Sequence, residues 1–261
     1  MTDQTLKDRH VLVTGAGTGI GAAIAEACTE AGARVTLAGR RREPLLTLQR
    51  SLSEGRAHAM ADFDVTDEAK VRAGIADARS TFGPIDILVN NAGEAPSAPF
   101  TKTDLATWSS VLAVNLTGTF LVTREVVPDM IGKRAGRVIN IASTAGLTGY
   151  AYVSPYVSAK HGVIGLTRSL ALEFARAGIT VNAVCPGYTE TPMFERAVDN
   201  IVAKTKRSRD DARATLAASN PQGRLVTPQE VAQAVLWLAS AAAGSITGQA
   251  IVVAGGEVMV G

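Results

Sequence analysis

Tyr156 and Lys160 are four residues apart, so a helix carrying them presents both on one face and can seat the amine beneath the phenol. A free phenol has a pKa of about 10, and a neighbouring cation favours the phenolate. The expected effect is a lowered pKa and a tyrosine able to act as general base or general acid. Ser143, thirteen residues upstream, is placed to hydrogen-bond a substrate oxygen, and Asn115 to orient Lys160 directly or through water. Tyr150 and Tyr152 compete for the role but lack a lysine four residues on. A tyrosine at the edge of a core with its hydroxyl in water is the plainer reading of any one of them. Ser143 and His161 do not form a hydrolase pair, because no Gly-x-Ser-x-Gly turn surrounds the serine.

Proton transfer of this kind needs a hydride carrier, and the N-terminal region offers a place for one. Gly15, Gly17, Thr18, Gly19, Ile20 and Gly21 follow an apolar strand and open a helix. Small residues there let the backbone approach a diphosphate, and the free amides of the helix start face its charge. A tight turn with close helix packing would use the same residues. A triphosphate loop is disfavoured because no Gly-Lys-Ser or Gly-Lys-Thr ending follows.

After the second strand, where an acid often meets the ribose hydroxyls, stand Arg40 and Arg41. A guanidinium welcomes a 2′-phosphate, so NADP(H) is preferred, with Arg40 the leading contact; NAD(H) and a solvated basic turn stay open. Asp64 and Val65 could bracket the adenine, and Asn91, Ala92 and Gly93 leave space over the cofactor. Turn chemistry alone would also place Asn, Asp and Gly there.

These residues need a scaffold that gathers strand ends. Short apolar runs at 11–14, 35–38, 57–63, 85–89, 137–141, 179–184 and 249–254 alternate with helical stretches at 20–31, 43–52, 67–81, 104–130, 155–176 and 228–240. That rhythm predicts an α/β fold, a doubly wound parallel sheet with helices on both faces, in one domain spanning residues 1–261. Ligands of such sheets bind at the carboxyl ends of the strands. Pro128 is expected to end or distort its helix, and Pro186-Gly187 to break the sixth strand. Residues 192–219 read as a charged, less regular helical insertion.

Of 261 residues, 46% are hydrophobic and 19% charged, which supports a folded core. The formal charge of +2 gives no reason to expect nucleic acid as a partner. His10, His58 and His161 lack metal-ligand spacing. Cys28 and Cys185 read as buried free thiols, compatible with a reducing, cytoplasmic location. No uninterrupted apolar run of membrane-spanning length is apparent, so no membrane association is expected.

The combination of Thr14 to Gly21, Asn90 to Gly93, Asn115, Ser143, Tyr156 with Lys160, and Pro186-Gly187 followed by Thr191 resembles the short-chain dehydrogenase/reductase family over nearly the whole chain. The stretches 156–163 and 179–187 look most like bacterial β-ketoacyl and polyketide ketoreductases, and like 3-hydroxybutyrate dehydrogenases. The resemblance implies a Rossmann-like sheet of seven strands ordered 3-2-1-4-5-6-7 and a homotetramer. It implies a catalytic tetrad of Asn115, Ser143, Tyr156 and Lys160. Pro186, Gly187, Thr189 and Thr191 would line the nicotinamide and diphosphate region, with a substrate lid over roughly 192–220.

The implied reaction interconverts a ketone and a secondary alcohol. Ser143 and Tyr156 hold the reacting oxygen while a nicotinamide delivers or accepts the hydride. Thr144, Ala145, Val153, Gly187, Tyr188 and Met193 are expected around the substrate, with Glu94, Ala95, Tyr150 and Phe194 close by. Their character suits a small carbonyl or an acyl chain, including an acyl thioester. Lys204, Lys206 and Arg207 could meet a carrier phosphate or form a solvated helix face. An NAD-linked 3-hydroxy acid or alcohol dehydrogenase, and a non-catalytic dinucleotide-binding protein, are the competing readings.

Overall fold

A computed structural model describes residues 5–205 and 207–259. Its elements alternate from the start: β1 (His10–Thr14), α1 (Gly19–Glu30), β2 (Arg34–Ala38), α2 (Arg42–Ser51), β3 (Ala57–Met60), α3 (Glu68–Phe82) and β4 (Ile87–Asn90). There follow α4 (Leu105–Leu112), a π-helical segment Ala113–Thr117, α5 (Gly118–Lys133), β5 (Gly136–Ile141), α6 (Ser154–Phe174) and β6 (Ile179–Pro186). The chain closes with α7 (Pro192–Thr205), α8 (Arg209–Ala217), α9 (Pro228–Ala239) and β7 (Ala250–Val253). The strands form one parallel sheet in the order β3-β2-β1-β4-β5-β6-β7. The turn of order between β3-β2-β1 and β4 opens the crevice in which such sheets bind ligands.

Successive side chains of a strand point to opposite faces, and the core divides accordingly. Val11 and Val13 join Ile24 and Cys28 of α1 and Val231, Val235 and Leu238 of α9. Leu12 faces the other way, with Ile75 of α3 and Val122, Val126 and Met130 of α5. Helix α9 starts at a capping box in which Glu230 N–H donates to Thr227 Oγ1 at 3.2 Å and Thr227 N–H donates to Glu230 Oε2 at 2.8 Å. Between the apolar layers runs a polar chain: Asn90 Nδ2 donates to Thr123 Oγ1 and Asn140 Oδ1, and Asn140 Nδ2 donates to Thr167 Oγ1, each at 2.9 Å. Asn90 and Asn140 are also register partners across β4 and β5.

Two expectations need amendment, and a third bears comment. Pro128 does not end its helix, which continues to Lys133. A proline removes one helical donor and crowds the preceding turn, here the amide that would bond the Arg124 carbonyl; Arg79 braces the neighbouring positions, donating to the Glu125 carbonyl at 2.7 Å while its Nε bonds Asp129. Strand β6 extends through Cys185 and Pro186, which pair with Val252 and Val253, so the break comes only at Gly187. The helical stretch Leu105–Lys133 is long and apolar enough by composition to cross a bilayer. One face of it lies against the sheet, where Val122, Val126 and Met130 of α5 are fully buried.

Candidate active site

At the carboxyl ends of the strands lies a cleft of about 1620 Å³. One end is lined by Gly15, Gly17, Thr18, Gly19, Ile20, Arg40 and Arg41, with Asp64 and Val65 beside them, and the other by Ser143, Tyr156, Lys160 and Tyr188. Asn91, Ala92, Gly93, Asn115, Pro186, Gly187, Thr189 and Thr191 border it too.

The glycine turn is held open by its neighbours. Thr14 Oγ1 accepts from the amides of Asn91 at 2.9 Å and Ala92 at 3.0 Å, and Asn91 Nδ2 donates to the Thr14 carbonyl at 2.9 Å. The Asn91 side chain is thus engaged in pinning the loop after β4 to the end of β1. A Cβ on Gly15 would stand 3.0 Å from Ala92 Cα, so these loops approach as closely as backbone permits. Gly19, at φ +58, adopts a conformation few other residues tolerate and opens α1 beneath Thr191. Gly21 differs from expectation: it is absent from the cleft wall, and a Cβ there would collide with the Gly15 carbonyl. Its smallness serves packing inside the turn.

Helix α1 has no side-chain cap from Thr18 and no acid in its first turn. Its leading amides therefore lack an internal partner and carry the positive end of the helix dipole. A diphosphate fits that cradle. Arg40 and Arg41 are exposed at the same end and make no ion pair among the described residues. Asp64 accepts from Thr66 N–H and Oγ1, which together with nearby Arg40 holds its carboxyl below the usual range.

Tyr156 and Lys160 rise from the first turns of α6, and Ser143 follows β5. Lys160 is buried; its Nζ donates to the Ile141 carbonyl at 2.7 Å and lies 5.5 Å from the centre of the Tyr156 ring. Burial pushes the amine down from 10.5 to about 8. Burial also pushes the Tyr156 phenol up to about 12, against the opposing pull of a hydrogen bond from Ser143. The expectation that Lys160 lowers the phenol pKa is therefore reversed: desolvation outweighs an ammonium that is directed at a backbone carbonyl. A protonated phenol is the state needed to donate a proton to a carbonyl oxygen.

Asn115 occupies the π-helical segment, where its Nδ2 donates to the carbonyls of Val111 and Glu94, each at 2.9 Å. The first of these bonds is the side-chain competition that disturbs a helix. Asn115 Oδ1 is buried without a protein partner and would stand 2.8 Å from a Cβ on Gly93, a point that is 3.8 Å from Lys160 Nζ. Asn115 and Lys160 thus share one small space beside Gly93 but make no direct bond.

Thr144, Ala145, Val153, Gly187, Tyr188 and Met193 all line the cleft. Thr189 Oγ1 donates to the Gly187 carbonyl, while Thr191 Oγ1 donates to the Thr189 carbonyl and accepts from Phe194 N–H at the start of α7. Lys204 is spent on the Ser97 carbonyl and Arg207 on Thr215, while Lys206 lies outside the described residues. Sequence reasoning placed Thr14 in the glycine motif but missed its role, in which the hydroxyl organises two strand ends. It also missed Glu257, whose carboxylate accepts from Tyr150 across 107 positions of sequence.

The sequence matches the short chain dehydrogenase family over residues 9–201. The chain belongs to that family. Among its relatives, this short-chain dehydrogenase is 43% identical over 248 residues to a protein of Streptomyces violaceoruber named as ketoacyl reductase 1 of the granaticin polyketide synthase, covering 94% of this chain and 91% of that one. It is 41% identical over 255 residues to the cis-4-hydroxycyclohexanecarboxylate dehydrogenase of Sinomonas cyclohexanicum, covering 97% and 98%. The crystal structure of a variant actinorhodin polyketide ketoreductase with NADPH superimposes with a TM-score of 0.92 at 39% identity, over 98% of this chain and 99% of that one. The shared fold and the expected strand order are thereby established, and the chain is an oxidoreductase.

Proposed function

We propose that this enzyme uses NADP(H) to interconvert a ketone and a secondary alcohol, with a β-ketoacyl compound or another hydrophobic carbonyl as substrate. The observation that carries the reading is one cleft joining a protonated Tyr156, held by Ser143 and flanked by Lys160, to a glycine cradle with two unpaired guanidiniums. Arg40 and Arg41 bind the 2′-phosphate of the cofactor, and the amides opening α1 hold its diphosphate. The bound nicotinamide supplies or accepts the hydride. Ser143 and Tyr156 hydrogen-bond the reacting oxygen, and Tyr156 gives it a proton in reduction or withdraws one in oxidation. Lys160 steadies the charge left on the phenol, and Asn115 positions Lys160 across the space beside Gly93.

Helices α7 and α8 form the substrate lid, clasped by ion pairs from Arg209 to Glu195 and Asp199 and from Arg213 to Glu195. The buried, unpaired Cys28 and Cys185 suit a reducing cytoplasm. Exposed Leu105, Phe120, Ile131 and Leu172 support assembly into a homotetramer, which native mass spectrometry tests.

A second reading, an NAD-linked alcohol dehydrogenase, draws on the cyclohexanecarboxylate relative. Oxidation of NADPH and NADH by β-ketoacyl thioesters, acetoacetate and cyclic ketones under identical conditions separates the two. Tyr156→Phe should abolish turnover and leave NADPH binding intact; retained turnover overturns the assignment.

A further inference from the structure

Glu257 comes from the far end of the chain to stand behind the cleft wall, against Tyr150 and Gly187. After β7, Gly255 and Gly256 take φ values of +59 and +95 and turn the backbone past Asn220 and Pro221. The turn directs the Glu257 carboxylate under Gly187, where an added Cβ would fall 2.7 Å from Oε2. The other oxygen, Oε1, accepts from the Tyr150 hydroxyl at 2.7 Å, and Tyr150 Oη also lies 2.8 Å from Thr144 Oγ1.

These bonds have a fixed direction. A phenol has one proton and an ionised carboxylate has none, so the Tyr150 proton goes to Glu257 and Thr144 donates to Tyr150. Tyr150 and Thr144 both line the cleft, yet each has its proton committed to the wall and offers a substrate only lone pairs. Tyr150 stacks edge-on with Tyr188, and Tyr188 with Phe194 at the start of α7, so the arrangement continues into the helices above the cleft. Glu94 places a carboxylate in the lining itself, with Ser110 donating to it at 3.0 Å. The nearby cation among the lining residues of α7, Arg196, is exposed to solvent. Around Tyr150 the wall of the cleft therefore offers acceptors and is backed by negative charge, while the donors Ser143 and Tyr156 and the buried cation Lys160 stand at the reacting centre.

We propose that Glu257 is a specificity determinant: through Tyr150 it disfavours substrates bearing a free carboxylate next to the reacting carbonyl and admits neutral esters, thioesters and ketones of the same shape. This rests on the ketone-reduction reading and names the substrate class within it. A carboxylate behind the wall and another on the substrate repel across a partly dry cleft strongly enough to change selectivity roughly tenfold.

The test compares acetoacetate with methyl acetoacetate in the wild type, Glu257→Gln and Glu257→Lys, after thermal melting and NADPH titration show that each variant is folded. The ratio of kcat/KM for the anion to that for the ester should rise about tenfold in Glu257→Gln and further in Glu257→Lys. An unchanged ratio, including an equal fall on both substrates, overturns the proposal and leaves Glu257 a purely structural partner of Tyr150. If the wild type turns over neither these compounds nor the β-ketoacyl thioesters and cyclic ketones of the cofactor assay, the ketone-reduction reading fails instead. The charge argument is then decided by calorimetric Kd values of 3-hydroxybutyrate and its methyl ester on the enzyme–NADP complex, where the same change in ratio is expected and its absence is refuting.

Discussion

Lys160 is kept charged in the cleft at a cost, and replacing it should reveal that cost as a pH-dependent gain in stability. Its amine titrates near 8 in the folded protein and at 10.5 when exposed. Between those values the unfolded chain binds more protons than the native one, so stability rises with pH across the interval. Below about pH 8 the penalty is present in full, and the displacement corresponds to about 3 kcal/mol at 1.36 kcal/mol per pH unit. Lys160→Met removes the titrating group but also the 2.7 Å bond to the Ile141 carbonyl, an offset on the order of 1.5–3 kcal/mol. Because that offset varies little with pH, the informative quantity is the difference between variant and wild type at two pH values. Urea unfolding at about pH 7 and about pH 10 should show the variant faring better at the lower pH by about 3 kcal/mol relative to its standing at the higher one. Equal differences at both pH values would refute the claim that burial strains this ammonium. Turnover should be lost in the variant at every pH, because no cation remains to steady the phenolate.

Three other perturbations probe the cofactor end and the scaffold. Arg40→Ala and Arg41→Ala should each weaken NADPH binding by roughly tenfold or more while changing NADH binding little, read by fluorescence titration; equal losses for both cofactors would place the guanidiniums elsewhere. Thr14→Val leaves the Asn91 and Ala92 amides without their acceptor, and should cost about 1–3 kcal/mol in denaturation while raising the Kd for NADPH. Thr227→Ala breaks the capping box of α9 at about 1 kcal/mol, lowering the melting temperature with cofactor affinity unchanged.

Local signals carried most of the fold. The glycine run, the alternation of apolar strands and helices, and the i,i+4 pair at Tyr156 and Lys160 depend on neighbours in sequence, and the strands and helices fall within a few residues of their expected places. The departures arise where a distant group decides. Pro128 sits inside α5, where Arg79, a residue of α3, braces the adjoining Glu125 carbonyl and Asp129. Tyr156 is raised in pKa, not lowered, because desolvation is a property of the assembled cleft that spacing cannot convey. Gly21 resembles its ligand-facing neighbours in sequence but faces the Gly15 carbonyl. Glu257 gave no signal at all, since a lone acid near a terminus has meaning only once β7 and its glycine turn bring it under Gly187.

The amide chain from Asn90 through Asn140 to Thr167 bears on how such a sheet finds a single alignment. Strands covered on both sides by apolar helices lose the inside–outside contrast that normally penalises misalignment. Sliding β4 against β5 by two positions would exchange one greasy contact for another, but it would strand two carboxamides in a dry interior. These asparagines therefore act as a molecular detent, and the strand ends that hold the cradle and the proton donor stop at the same level.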